Sequence, residues 1–136
     1  MRSIRHVVAC VFLVISAPSF AKGINMEPGM WQWTMVAEVP GMSMTLPPNV
    51  YKDCITKEEM VPQQPDQDDQ CKMIESNIKS NKVTWKIECK GKDGDATSEG
   101  IMHYQGDKAQ GNITILTQGM VMKATLDGKR IGACES

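Results

Sequence analysis

The sequence predicts a mostly β chain, an antiparallel meander of seven or eight strands forming a strongly curved sheet or small barrel. Three observations carry this expectation. Apolar and polar residues alternate over much of the chain, a period of two that sends every second side chain to one face. Turn signals built from Gly, Asn, Asp and Pro interrupt the alternation at short intervals, and tight turns force neighbouring strands to be antiparallel. No long stretch repeats apolar residues at helical spacing, so at most one helical turn is expected, near residues 57–61.

Residues 1–21 read as a removable secretory signal. Arg2 and Arg5 precede an apolar run from Val7 to Ile15, and the small residues Ser19 and Ala21 flank Phe20. That run is shorter than the roughly 20 apolar residues needed to span a bilayer, so no retained membrane anchor is expected. Residues 22–136 are then a single disulfide-stapled β domain of an exported chain, periplasmic or secreted. Arg2 and Arg5 are the only charges in the signal, so the remainder is mildly acidic, without a basic stripe, which argues against nucleic acid as a partner.

In the first strand, Trp31, Trp33, Met35, Ala37 and Val39 share one side. Pro40 and Gly41 mark a turn. Met42 to Leu46 is a candidate second strand, interrupted by Pro47 and Pro48, and Val50 to Ile55 resumes extended structure. Thr56 to Glu59 forms a capping-box pattern that Pro62 cuts short. Residues 62–70, rich in Pro, Gln and Asp, read as a surface loop. Lys72 to Ile78 and Lys82 to Lys90 form a hairpin about Ser80-Asn81, setting Ile78 against Val83, Ser76 against Trp85 and Ile74 against Ile87. Thr97 to Gln105, Ala109 to Thr117 and Met120 to Leu126 follow, broken at Gly106-Asp107 and Gln118-Gly119. Asp127-Gly128 reads as a last hairpin turn that sends Arg130 to Cys134 back along the preceding strand.

Several of these pieces together resemble the bacterial exported family known as domain of unknown function 3617. They are Pro28-Gly29-Met30-Trp31, Cys54-Ile55-Thr56-Lys57-Glu58, Cys71, the Trp85 to Cys89 strand, Tyr104-Gln105-Gly106-Asp107 and Arg130-Ile131-Gly132-Ala133-Cys134. The resemblance implies a periplasmic domain of undetermined activity and offers no catalytic residues to carry over. Gly29-x-Trp31 with Arg130 is also similar to the lipocalin-like arrangement, which implies a tryptophan closing a barrel floor and an arginine stacked across it.

Four cysteines lie beyond the signal: Cys54, Cys71, Cys89 and Cys134. An even count in an exported chain reads as two disulfides, and the spacings are too wide for the close pairs of a structural zinc site. The leading pairing joins Cys54 to Cys71 across the polar loop and leaves Cys89 for Cys134. Cys71 to Cys89 competes, but aligned pairing sets Cys71 beside Lys90, so it needs a bulge.

Three further constellations bear on function. Trp31, Trp33 and Trp85 share inward parity and form either plain core or the wall of an apolar pocket. Eleven methionines against two phenylalanines is an unusual balance, and Met42-Ser43-Met44 and Met120-Val121-Met122 each place two thioethers on one side of a strand. Thioethers suit Cu(I), or fill an irregular apolar interior. His103, the only histidine beyond the signal, points outward and has no nucleophile motif beside it; neither Gly-x-Ser-x-Gly nor Cys-x-x-Cys occurs. Asp66, Asp68 and Asp69 form an acidic loop without the glycine and distal glutamate of an EF-hand.

The leading functional expectation is a non-enzymatic domain that binds an apolar small molecule, lipid fragment or segment of an envelope protein, with no cofactor. Cu(I) binding by Met42, Met44, Met120 and Met122 is the alternative, and a hydrolase built on His103 the third.

Overall fold

Seven strands form one sheet: β1 (Gly29–Glu38), β2 (Asn49–Ile55), β3 (Cys71–Lys79), β4 (Lys82–Cys89), β5 (Ala96–Gln105), β6 (Lys108–Thr117) and β7 (Met120–Gly132). The computed structural model describes residues 23–43, 46–62 and 70–135. The expected signal, Met44 and the acidic loop of Asp66, Asp68 and Asp69 lie outside the described residues. Strand order is β2-β1-β7-β6-β5-β4-β3, and every neighbouring pair is antiparallel.

This order has a topological consequence. Following the alternation of direction around the sheet leaves β2 and β3, the two edges, pointing the same way. They do not touch, and the sheet stays open along that seam. The connection between them must therefore pass from one end of the sheet to the other, and its described residues 60–62 are buried against the concave side. Met60 and Val61 are each 7% exposed, and the Tyr104 hydroxyl on β5 donates to the Met60 carbonyl at 2.5 Å.

Strong curvature is visible in the aromatic contacts. β1 and β5 stand three positions apart, which in a flat sheet separates them by about 14 Å. The rings of Trp31 and Tyr104 nevertheless meet edge to face at 5.6 Å, while Trp31 stacks on Trp33 at 5.5 Å. Around them pack Ile55, Val83, Met102 and Leu126, all nearly free of solvent contact. Residues 24–28 seal this end. The Glu27 amide donates to the Gly106 carbonyl at 3.0 Å, the Gly106 amide to the Asn25 carbonyl at 2.9 Å, and Met26 is left 5% exposed.

Gln118 and Gly119 make the β6–β7 turn with φ of 48° and 75°, but Asp127-Gly128 makes none. The expected turn there is corrected to the interior of a 13-residue strand paired on both sides. Gly128 serves a contact instead: a Cβ on it would lie 2.1 Å from Cζ3 of Trp33. The candidate strand at Met42 to Leu46 is absent among the described residues, where the Leu46 amide makes one bond to the Ala37 carbonyl at 3.2 Å. The helical turn near 57–61 is absent too. Thr56 Oγ1 does accept from the Glu59 amide at 3.1 Å, but the return bond runs from the Thr56 amide to the Glu59 carbonyl at 3.3 Å, closing a tight loop. Pro62, placed in a surface loop by composition, is buried.

The leading disulfide pairing is also corrected. Cys54 joins Cys134 and Cys71 joins Cys89. A bulge at Ile74 explains the second bridge: the β3–β4 register passes from Met73 opposite Ile87 to Glu75 opposite Lys86, and that extra residue sets Cys71 opposite Cys89. Ile78–Val83 and Ser76–Trp85 pair as expected, whereas Ile74 loses Ile87 to Met73 and is 46% exposed. The first bridge follows from β1, where Met30 pairs with Cys54 on one side and Gly132 on the other. Cys134, two residues further on, then reaches β2 across the start of β1. Lys72, Glu75 and Lys79 blunt the bare β3 edge.

Candidate functional site

The end opposite the seal, where β1 finishes and β4 ends, holds a hollow of about 150 Å³. Inward-facing residues of five strands converge there: Met35 from β1, Tyr51 from β2, Trp85 and Ile87 from β4, Ser98 from β5, and Ile113 and Ile115 from β6. Pro62, just past β2, also lines it. The Trp85 ring lies flat against β5 because residue 100 is glycine; a Cβ there would come within 2.1 Å of Cζ2 of the indole. Apolar lining with a few polar atoms is the usual composition of a small-molecule site.

Two hydrogen-bond donors, one on the wall of the hollow and one in the core, have no acceptor among the described residues. Tyr51 lines the hollow, and its hydroxyl makes no hydrogen bond among the described residues. Burial first, and then the Asp53 carboxylate, push its pKa up to about 12, so the phenol keeps its proton. Trp33, its register partner on β1, is fully buried with its indole N–H unpartnered. By contrast Trp31 donates to the Glu27 carbonyl at 3.1 Å. Tyr104 is satisfied by Met60, and burial, followed by the charges of Asp53 and Tyr51, holds its pKa well above the usual phenol range.

Of the three expected tryptophans, Trp85 alone lines the hollow. Trp31 and Trp33 form core, closed over by Tyr104 and the connecting segment. Met35, Tyr51, Ile113 and Ile115 complete the wall. Their signal in the sequence is parity: Gly111, Ile113 and Ile115 alternate on β6 as Trp33 and Met35 do on β1. Met42 and Met120 are 63% and 53% exposed, and Met122 is half-buried. No group of three or more His, Cys, Asp or Glu residues suited to a metal occurs among the described residues. His103 is exposed on the outer face, in a groove of about 430 Å³ with Gln105, Lys108, Gln110, Asp127 and Lys129. That groove is larger than the hollow but is lined mostly by polar and charged residues, and Gln110 already donates to Asp127 at 2.9 Å.

Arg130 does not stack on an indole among the described residues. Its guanidinium lies against Gly29, and Nε donates to the Pro28 carbonyl at 2.9 Å. Thus Gly29-x-Trp31 and Arg130 meet at the closed end, in a different contact from the lipocalin-like one.

Residues 26–134 match the family model described as Protein of unknown function (DUF3617). The chain belongs to the DUF3617 family. No curated protein and no solved structure matches it. Many of the motifs that resemble DUF3617 gather at the sealed end: Pro28 holds Arg130, Trp31 meets Tyr104, the Arg130 amide donates to the Asp107 carbonyl at 2.8 Å, and Cys54 binds Cys134. In this DUF3617 domain those motifs build the seal, and the hollow lies at the far end. Two disulfides are compatible with an extracellular or periplasmic protein.

Proposed function

We propose that this DUF3617 domain is a non-enzymatic periplasmic or secreted binding domain whose open-end hollow accepts an apolar small molecule, a lipid fragment or a segment of an envelope protein. One observation carries the reading. Trp31, Trp33 and Tyr104 fill the concave face towards the sealed end, and a hollow walled by Met35, Tyr51, Trp85, Ile87, Ile113 and Ile115 lies at the other. Dry apolar cavities of about 150 Å³ admit guests of benzene size, so the hollow suits a ring or short alkyl group. Met35 adds an adaptable wall. Native mass spectrometry of the protein purified from the periplasm should show an adduct that Ile113→Trp, which fills the hollow, removes. Repeated absence of an adduct, with Trp85 fluorescence insensitive to apolar probes, overturns the reading.

Cu(I) binding is the second reading, supported by the β1–β7 register. Pairing ends at Glu38 opposite Lys123, which sets Met42, just past β1, at the same end as Met120 and Met122. A titration under reducing conditions tests it. Unchanged affinity after Met42→Leu, Met44→Leu, Met120→Leu and Met122→Leu removes the idea.

A further inference from the structure

The hollow's wall carries chemistry that narrows its guest, provided the binding reading above holds. We infer that the site selects a compact, uncharged molecule bearing one hydrogen-bond acceptor, which the Tyr51 hydroxyl engages while the apolar body rests against Trp85, Ile87, Ile113 and Ile115.

Four observations lead there. Size comes first, since about 150 Å³ holds one ring or a branched chain of a few carbons. Polarity is the second. Among the described residues, Tyr51 and Ser98 bring the only side-chain hydroxyls to a wall that otherwise presents thioether, disulfide sulfur, aliphatic and aromatic surface. The third is the absence of an acceptor for Tyr51 among the described residues, which leaves a hydroxyl donor on the wall for a guest to meet. Charge is the fourth. Asp53 lies two residues along β2 on the same face, close enough to raise the pKa of Tyr51, and no Lys or Arg among the described residues lines the hollow. An anion meets no counter-charge among the described lining residues. An ammonium would leave the Tyr51 donor unmet, because it brings no lone pair.

Cyclohexanone and methylcyclohexane share shape and heavy-atom count and differ in the acceptor. Their binding to the disulfide-intact protein can be followed by saturation-transfer NMR, with cyclohexanecarboxylate and cyclohexylammonium as charged analogues. Tyr51→Phe keeps the ring and removes the donor. The expected result is a loss of about fivefold in cyclohexanone affinity with methylcyclohexane unchanged, the ordinary worth of one neutral hydrogen bond. Both charged analogues should fail to bind. The inference is overturned if Tyr51→Phe leaves cyclohexanone affinity intact while both neutral probes bind, or if a charged analogue binds most tightly. When neither neutral probe binds the parent protein, the binding reading itself fails. Unaltered methylcyclohexane binding by the variant also shows that its fold is preserved.

Discussion

Replacing Gly128 with alanine tests the packing at the centre of the sheet. Gly128 lies opposite Trp33 in the β1–β7 register, and the added methyl would approach Cζ3 of the indole to 2.1 Å. Unbonded carbons need about 3.5 Å. Trp33 is fully buried and stacked on Trp31, so its ring cannot step aside without moving its neighbour. Overpacking of this kind costs about 1 to 3 kcal/mol. Removing glycine from a strand interior returns about 0.5 to 1 kcal/mol. The overlap here is severe, so the first effect wins, and we expect a net loss of about 2 kcal/mol, near 10 °C in Tm.

The assay is urea unfolding followed by tryptophan fluorescence with the disulfides intact. Gly132→Ala, whose Cβ meets nothing within 4 Å, is the control and should stay within about 0.5 kcal/mol of the parent. In a Trp33→Leu background the Gly128→Ala penalty should vanish, giving a coupling of about 2 kcal/mol in the double-mutant cycle. An equal penalty in both backgrounds would refute the reasoning, because it would place the need for glycine in the backbone instead of under the ring.

Removing the Cys54–Cys134 bridge, with a sequence separation of 80, should cost about 4.5 kcal/mol, and removing Cys71–Cys89, with a separation of 18, about 3 kcal/mol. Chemical unfolding of the two double-alanine variants checks the order, and non-reducing peptide mapping checks the pairing. Alkaline pH should destabilise the domain. Tyr51 and Tyr104 hold their protons more tightly folded than unfolded, so their contribution is intact below about pH 10. It is then lost, by at most about 1.4 kcal/mol per pH unit for each, as pH rises through the folded values. Tyr51→Phe should flatten that decline between pH 10 and 12 when stability is measured across the range. Tyr104→Phe should also lower stability at pH 7 by about 1 to 3 kcal/mol, since it leaves the buried Met60 carbonyl without its donor.

Much of the strand content is legible locally. Trp31, Trp33 and Met35 point inward on β1, and Gly111, Ile113 and Ile115 on β6, as a period of two requires. The turns at Ser80-Asn81, Gly106-Asp107 and Gln118-Gly119 stand where their residue types place them. Asp127-Gly128 misleads because glycine serves two ends in a strand protein. It permits a turn, and it clears space for a large ring on a neighbouring strand; only the position of Trp33 distinguishes them. Disulfide pairing misleads for a similar reason. One bulged residue, Ile74, moves Cys71 from beside Lys90 to beside Cys89, and sequence spacing carries no trace of that slip. The binding wall is half legible: parity identifies inward residues, but whether an inward residue meets core or hollow depends on what faces it across the curve.

From its residues alone this chain declares an alternating β pattern, two disulfides' worth of cysteine, an export signal as an expectation and a family resemblance. These are local properties, set by side-chain chemistry and by neighbours a few positions away. Tertiary structure decides that β1 pairs with β7, that the open seam falls between β2 and β3, and that Met60 and Pro62, just past β2, meet Tyr104 and the hollow on the concave side. The physical reason is that alternation repeats identically in every strand. It states which face is apolar, whereas the choice of neighbour and register comes from long-range contacts that only the assembled sheet brings together.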